Sequence, residues 1–312
     1  MWRLERIILK DCNYIMPAFL SAGDRVGIVS PAGALQHPEI VERAALLLAS
    51  WGLDVTISLN ALSHRGYYAG SVDERICDMR SMLNDERVKA VLCSYGGYGC
   101  VHLLPYICDD LCRNPKWILG MSDCSVLHAA ALSQGMMSLH SPQCNHLAQR
   151  GSDDASHYLR QILFGELPQY SVASHPLNRC GSATGVLVGG NLSVLSALVG
   201  TPYDMFAQHR VLFIEDVNEP LYKIERMLHT LRLSGVLSSL AALVVGRFAG
   251  CKDNPDFGGT VCEVIHTMVQ DYDYPVCFNF PVGHTDENYP LIVGASVDIK
   301  IEAEGVSLSF CQ

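Results

Sequence analysis

The sequence is short of charge. Only 17% of its 312 residues are Asp, Glu, Lys or Arg, while 49% are hydrophobic, a balance that excludes a disordered chain and supplies the apolar surface for sizeable cores. Basic residues are the scarcer sign, 22 against 32 acidic, for a formal net charge of −10. Such a surface repels phosphate backbones, so no nucleic-acid partner is expected. No apolar run reaches the roughly 18 residues that a spanning helix needs; the longest, around Val236–Val245, contains Ser238 and Ser239 and is closed by Arg247. No membrane partner is expected either. The first fifteen residues carry Arg3, Glu5, Arg6, Lys10 and Asp11 where a secretory signal needs an uncharged stretch, so the expected location is cytoplasmic. Cysteine is plentiful, at 13, but odd in number, scattered from Cys12 to Cys311 and without a Cys-x-x-Cys. That pattern indicates neither a disulfide framework nor a zinc knuckle, and small buried hydrophobes are the expectation. Internal repeats and low-complexity tracts are absent.

The length suggests about two domains. Strand-like runs at Arg25–Ser30, Asp54–Ser58, Val88–Ser94, Trp117–Gly120 and Met137–His140 alternate with helical spacing at Pro38–Trp51, Val72–Asn84, Cys100–Ile107 and Asp123–Ser133. This alternation predicts an α/β unit with a mostly parallel sheet covered on both faces. Residues 1–150 form that unit, whose working part is expected to begin near Met16, with 1–15 as an accessory segment. Residues 151–182 are polar and turn-rich and read as a connection. From 183 to 312 a smaller unit follows. Its strands are expected at Thr184–Val188, Val211–Glu215, Ala241–Arg247, Pro275–Phe278, Ser296–Ile301 and Ser307–Phe310, and its helices at Leu192–Val199, Pro220–Leu233 and Thr260–Gln270. The closing strands alternate apolar and polar residues, which predicts α+β architecture with a partly antiparallel or barrel-like sheet.

Chemistry concentrates where strands end. Trp117-Ile-Leu-Gly120-Met-Ser122-Asp123-Cys124 runs from a buried strand into a serine that opens an apolar helix, the logic of a nucleophile elbow facing a helix N-terminus. On spacing alone, Ser122-Asp123 before a helix reads more readily as an N-cap. Upstream, Ser94-Tyr95-Gly96-Gly97-Tyr98-Gly99 offers backbone N–H groups able to cradle an anion, or is simply a tight turn. A serine nucleophile needs a base and the base an orienting group. His284 sits in the strand-end loop Phe280-Pro-Val-Gly-His284-Thr-Asp-Glu-Asn-Tyr, whereas His128 and His229 fall inside helices and read as packed or surface residues. Glu215-Asp216 ends a buried apolar strand, a costly place for carboxylates without partners; either could serve as triad member or structural ion. His284-Thr-Asp286-Glu287 also suggests a metal, but no paired histidine motif such as His-Glu-x-x-His supports one. Asn191 after Gly189-Gly190 reads as a helix cap.

Together these pieces resemble one family, the LD-carboxypeptidases (muramoyltetrapeptide carboxypeptidases), serine peptidases that include the microcin C immunity hydrolases. The resemblance runs from about Gly23 to Ile301. It rests on Val29-Ser-Pro-Ala32, Gly70-Ser-Val-Asp-Glu-Arg75, Gly96-Gly-Tyr-Gly99, Gly120-Met-Ser-Asp123, His140-Ser-Pro142, Gly189-Gly-Asn-Leu192, Gly200-Thr-Pro-Tyr203, Ile214-Glu-Asp216 with Glu219 and Tyr222, Gly246-Arg-Phe248 and Gly283-His284. It implies a Rossmann-like (flavodoxin-like) N-terminal domain and a smaller C-terminal one meeting at the active site. It further implies a triad of Ser122, Glu215 and His284, with Glu215 rather than Asp216 orienting the imidazole. The oxyanion hole would be the backbone N–H groups of Asp123 and of Gly97 or Gly96, and Tyr95, Tyr98 and Glu219 would contact substrate. No metal or cofactor is implied. The implied reaction releases terminal D-alanine from peptidoglycan tetrapeptides in a homodimeric enzyme.

The chain departs from the family pattern at Tyr95, where an arginine usually precedes Gly-Gly-Tyr-Gly, at Ser141 in place of the glycine of His-Gly-Pro, and at Glu225 before Arg226. The alternatives are a microcin-type hydrolase of peptidyl-nucleotides, which would need longer insertions, and a non-catalytic binder of cell-wall peptides.

Overall fold

A computed structural model describes residues 14–254, 256–257 and 259–311. In chain order the elements are β1 (Arg25–Val29), α1 (Glu39–Ser50), β2 (Asp54–Ile57), α2 (Val72–Asn84), β3 (Val88–Cys93), α3 (Leu104–Arg113), β4 (Trp117–Gly120), α4 (Ser125–Ser133), β5 (Ser138–His140), α5 (Cys144–Arg150) and α6 (Asp154–Leu163). They continue with β6 (Gln169–Ala173), β7 (Gly181–Asn191), α7 (Leu192–Leu198), β8 (Arg210–Val217), α8 (Leu221–Leu233), β9 (Ala242–Ala249), α9 (Val261–Val269), β10 (Val276–Cys277), β11 (Leu291–Val293), β12 (Ser296–Ile301) and β13 (Gly305–Phe310).

The first sheet runs β11-β5-β4-β3-β1-β2. Its five N-terminal strands are parallel, and their order β2-β1-β3-β4-β5 is the flavodoxin-like doubly wound arrangement. In such a sheet consecutive crossovers diverge between β1 and β3, which opens a crevice at the carboxyl ends of the strands. Strands covered on both faces must be apolar throughout, and β3 and β4 comply: Lys89 is the one exposed residue in either. The crevice floor is tied by Ser30 and Ser94, whose hydroxyls meet at 2.6 Å beyond β1 and β3. The second sheet runs β10-β9-β8-β7-β12-β13-β6. Strands β7 to β10 are parallel and β12, β13 and β6 antiparallel. An antiparallel bridge between Arg179 and Val276 curls the segment before β7 onto β10.

Most elements lie where their spacing puts them, and the exceptions have local causes. The helix expected over Cys100–Ile107 divides into a 3-10 turn, Cys100–His102, and α3. Pro105 sits in the first turn of α3, where its missing N–H costs nothing. Residues 151–182, expected to be an irregular connection, hold α6 and β6. Gly151-Ser-Asp in front of α6 and Gly165-Glu-Leu-Pro behind it frame only ten residues, so turn signals mask the stripe Ala155, Leu159, Ile162 and Leu163, which is buried. Asp153 accepts from Ser156 N at 2.9 Å and caps the helix. Leu291–Val293 leaves the C-terminal half to pair antiparallel with β5 on the first sheet. At the other end, Tyr14 is buried and its hydroxyl accepts from Arg210 at 2.8 Å, and Ile15 bridges Met136. The fold therefore includes residues ahead of Met16, while residues 1–13 of the expected accessory segment lie outside the described residues. The twelve described cysteines are free thiols, and no described helix is long and apolar enough to cross a membrane.

Leu159 is fully buried among core side chains. Replacing it with alanine is expected to lower unfolding free energy by about 2–5 kcal/mol, measured by urea denaturation; a change under about 0.5 kcal/mol, the size of a surface substitution, would remove α6 from the core.

Candidate active site

Ser122 stands out from its surroundings. From Trp117 to Leu132 every residue is buried except Ser122, which is partly open. Its backbone has φ +62°, a left-handed conformation that is strained for a residue with a Cβ. This is the sharp strand-to-helix turn of a nucleophile elbow. The capping alternative does not hold. Met121 is the residue ahead of the 3-10 turn Ser122–Cys124, Cys124 precedes α4, and neither start has a side-chain cap.

The glycine loop after β3 lies directly against this elbow. A Cβ built on Gly96 would stand 2.7 Å from Ser122 Cβ, 3.0 Å from its Oγ and 3.4 Å from Asp123 N, so only glycine lets the two loops approach this closely. Gly96 O accepts from Gly33 N at 2.9 Å, and Asp123 Oδ2 accepts from Cys100 N at 2.7 Å. Asp123 thus spends its carboxylate on the loop and leaves its own backbone N–H beside Gly96. Burial raises the Asp123 pKa, and the hydrogen bonds from Cys100 and Gly99 oppose that rise. Tyr95, Tyr98 and Tyr67 are exposed around the loop. The Tyr67 hydroxyl lies 3.1 Å from where a Gly97 Cβ would be.

Glu215 and Asp216 separate by strand alternation, since successive side chains of β8 point to opposite faces. Asp216 accepts from Asn191 Nδ2 and Ser193 N, both at 2.9 Å, and so anchors the start of α7. Burial, aided by the neighbouring Glu215 charge, pushes its carboxyl up to about 6 against the hydrogen bonds it accepts. Glu215 faces the other way, with no solvent exposure, and its Oε2 is 2.7 Å from His284 Nδ1. A carboxylate can only accept, so Nδ1 donates and Nε2 keeps its lone pair for a proton. Burial alone would depress the His284 pKa; the Glu215 hydrogen bond and the Glu215 and Asp216 charges outweigh it and raise it.

The His284 loop is fixed onto the elbow from beneath. Asn288, at 1% exposure, accepts from Gly283 N at 2.9 Å and points its Nδ2 at Met121 Sδ, 3.1 Å away and one residue before Ser122. Ion pairs Arg247–Glu287 and Arg150–Asp286 hold its outer side. Among the described residues His284 makes its side-chain hydrogen bond to Glu215, and none joins it to Ser122; such a nucleophile–base bond often closes only around bound substrate. His128 is a packed residue as expected: Nε2 donates to Gly120 O and Nδ1 accepts from Ser138, both at 2.9 Å, with burial pulling its pKa down to about 4. Glu219 lies at the rim of a cleft of about 530 Å³, beyond the ends of β8 and β9, lined also by Asn218, Tyr222, Lys252 and Phe257.

A partly open serine at a strained strand-to-helix turn, with a glycine loop on one side and a loop carrying a carboxylate–imidazole pair tied to the preceding residue on the other, is an arrangement in keeping with a hydrolase of the serine type. Sequence profiles of the LD-carboxypeptidase N-terminal and C-terminal domains match residues 26–141 and 184–299, and the chain belongs to the LD-carboxypeptidase family. It is 35% identical over 296 residues to a putative carboxypeptidase of Synechocystis, covering 95% of this chain and 97% of that protein. It is 34% identical over 293 residues to a probable murein peptide carboxypeptidase of Bacillus subtilis, covering 91% and 90%. The muramoyltetrapeptide carboxypeptidase of Oxalobacter formigenes superposes with a TM-score of 0.84 at 27% identity, over 92% of this chain and 99% of that one. A microcin self-immunity protein shares the fold, with a TM-score of 0.84 at 20% identity over 95% and 98%.

Asn288 and Tyr67 escaped the sequence reading. The first carries no signal beyond its place in the His284 loop, and the second precedes the glycine loop by almost thirty residues. His284 is expected to titrate above the reference midpoint of about 6.5, followed by NMR of its ring. Its base form then exists only on the alkaline side of that midpoint. The folded chain holds this proton more tightly than the unfolded one. The pair's contribution to stability is therefore present below the unfolded midpoint and lost as pH rises through the folded one. Glu215→Gln removes the charge and is expected to move the midpoint down; an unchanged midpoint would separate Glu215 from the imidazole.

Proposed function

We propose that this enzyme removes the terminal D-alanine from murein tetrapeptides, cutting the bond between an L-configured centre and D-alanine, with Ser122 as nucleophile, His284 as general base and Glu215 as its orienting carboxylate. The observation that carries the reading is the 2.7 Å contact of buried Glu215 with His284 Nδ1, in a loop tied by Asn288 to the residue before Ser122. The names of the Bacillus subtilis and Oxalobacter formigenes proteins support the substrate.

In the proposed sequence Nε2 of His284 takes the Ser122 proton as Oγ attacks the carbonyl carbon. The resulting oxyanion is met by the N–H groups of Asp123 and Gly97, with Gly96 as the third candidate; each such donor is worth about 10²–10³ in rate. The imidazolium returns its proton to the departing D-alanine amine, and water activated by His284 resolves the acyl-enzyme. The exposed Tyr95 and Tyr98 flank the scissile end, and Glu219 with its cleft takes the remainder of the peptide. The unpaired thiols of the twelve described cysteines suit a reducing compartment, which supports a cytoplasmic enzyme, and a homodimer is the proposed assembly.

The test is D-alanine release from a muropeptide tetrapeptide by wild type and Ser122→Ala, with chelator present. Wild-type release that persists with chelator, together with a loss of at least about 10³-fold in a folded Ser122→Ala protein, is the expected result. Release by the variant at the wild-type rate would remove Ser122 from the mechanism. No release from folded wild type would overturn the substrate and favour an acyl-sulfamate hydrolase or a binding protein.

A further inference from the structure

Arg75 is placed where a cation is disfavoured twice. It lies in the first turn of α2, whose N-terminal dipole is positive and whose capping box joins Ser71 N to the Glu74 carboxylate and Glu74 N to the Ser71 hydroxyl. Its exposure is 2%, and among the described residues no carboxylate pairs with it. Burying an unpaired guanidinium is costly, so the contacts that hold it must offset that cost.

Those contacts converge on the crevice. Nη1 donates to Pro31 O at 2.7 Å and to Gly99 O at 2.9 Å. Nη2 lies 3.2 Å from His102 Nδ1; arginine only donates, so Nδ1 accepts and His102 carries its proton on Nε2. The guanidinium carbon stands 5.0 Å from the centre of the Tyr68 ring. Gly99 has φ +135°, and a Cβ there would lie 2.6 Å from Nη1; glycine is what lets the guanidinium reach this carbonyl. One planar fork thus joins the loop after β1 to the far end of the glycine loop. The near end of the same loop is held from Gly33, two residues past Pro31, through Gly96 O. Residue 100, next to Gly99, donates its N–H to Asp123.

We infer that Arg75 is a positioning residue for the oxyanion side of the site, fixing the Gly99 end of the Gly96–Gly99 loop to the segment after β1, whose Gly33 N–H holds the Gly96 end, so that the loop's N–H groups and that of Asp123 stay aimed at the carbonyl attacked by Ser122. The inference rests on the proposed hydrolytic role of that site. A lysine would keep the charge and lose the fork, because one ammonium on a flexible stem cannot hold two carbonyls and an imidazole in a plane.

The experiment is steady-state D-alanine release by wild type, Arg75→Lys and Arg75→Ala, with folding checked by circular dichroism and thermal melting. A misaimed donor acts in the transition state, so kcat is expected to fall about 10²-fold while KM stays within about threefold and the acid limb set by His284 does not move. Should Arg75→Ala fail to fold, folded Arg75→Lys carries the test alone. Wild-type kcat in folded Arg75→Lys, a loss confined to KM, or a displaced acid limb would each overturn the inference while leaving the triad intact. A wild type that releases no D-alanine would overturn the proposed reaction and, with it, this role for Arg75.

Discussion

A carboxylate cut off from water is tolerable only beside a partner, and Glu215 has no solvent exposure. The partner is His284, and their 2.7 Å contact constrains much of the architecture around it. β8 must end with one acidic side chain turned toward each face, Asp216 into the start of α7 and Glu215 toward the imidazole. The loop after β10 must then bring His284 back across the end of the sheet. The same contact sets the chemistry, because it fixes the tautomer and raises the basicity of Nε2.

The pairing also explains why the two sheets meet where they do. After His284 the chain reaches Asn288, which docks on Met121, and then enters β11 at the edge of the first sheet. The loop that carries the imidazole is thereby held onto the elbow by a strand and a buried amide as well as by surface ion pairs. A second joint is made by Ser125, whose hydroxyl accepts from Asn191 N at 3.0 Å. Ser122 on one sheet and the Glu215–His284 pair on the other are thus held by short connections through buried residues.

The two sides of Ser122 are stabilised by different physics. Toward His284 the interactions are charge-assisted. Toward the glycine loop they are steric and dipolar: missing side chains at Gly96 and Gly99, backbone carbonyls gathered by Arg75, and an aspartate that receives an N–H from residue 100. This second side tolerates little change, since a single methyl group at Gly96 would collide with Ser122 itself.

Local pattern determined most of the elements. The apolar runs of β1, β3 and β4, the capping box at Ser71 and the closing alternation of β12 and β13 are properties of short windows, and the structure reproduces them because propensity and burial agree there. The candidate residues at strand ends were legible for the same reason: a serine after Gly120-Met, or two acids closing an apolar strand, is anomalous within ten residues. α6 was hidden because its stripe is short and framed by turn residues, and the destination of β11 because strand pairing is a long-range property that no window contains. Spacing left Glu215 and Asp216 undecided, since alternation tells that they diverge but not which face holds the imidazole; the family resemblance implied Glu215, and in the tertiary structure it is Glu215 that lies 2.7 Å from His284 Nδ1. The tertiary structure alone revealed Asn288, Tyr67 and the fork of Arg75, each of which has a partner 20 or more residues away in the chain and a meaning that exists only once the loops are brought together.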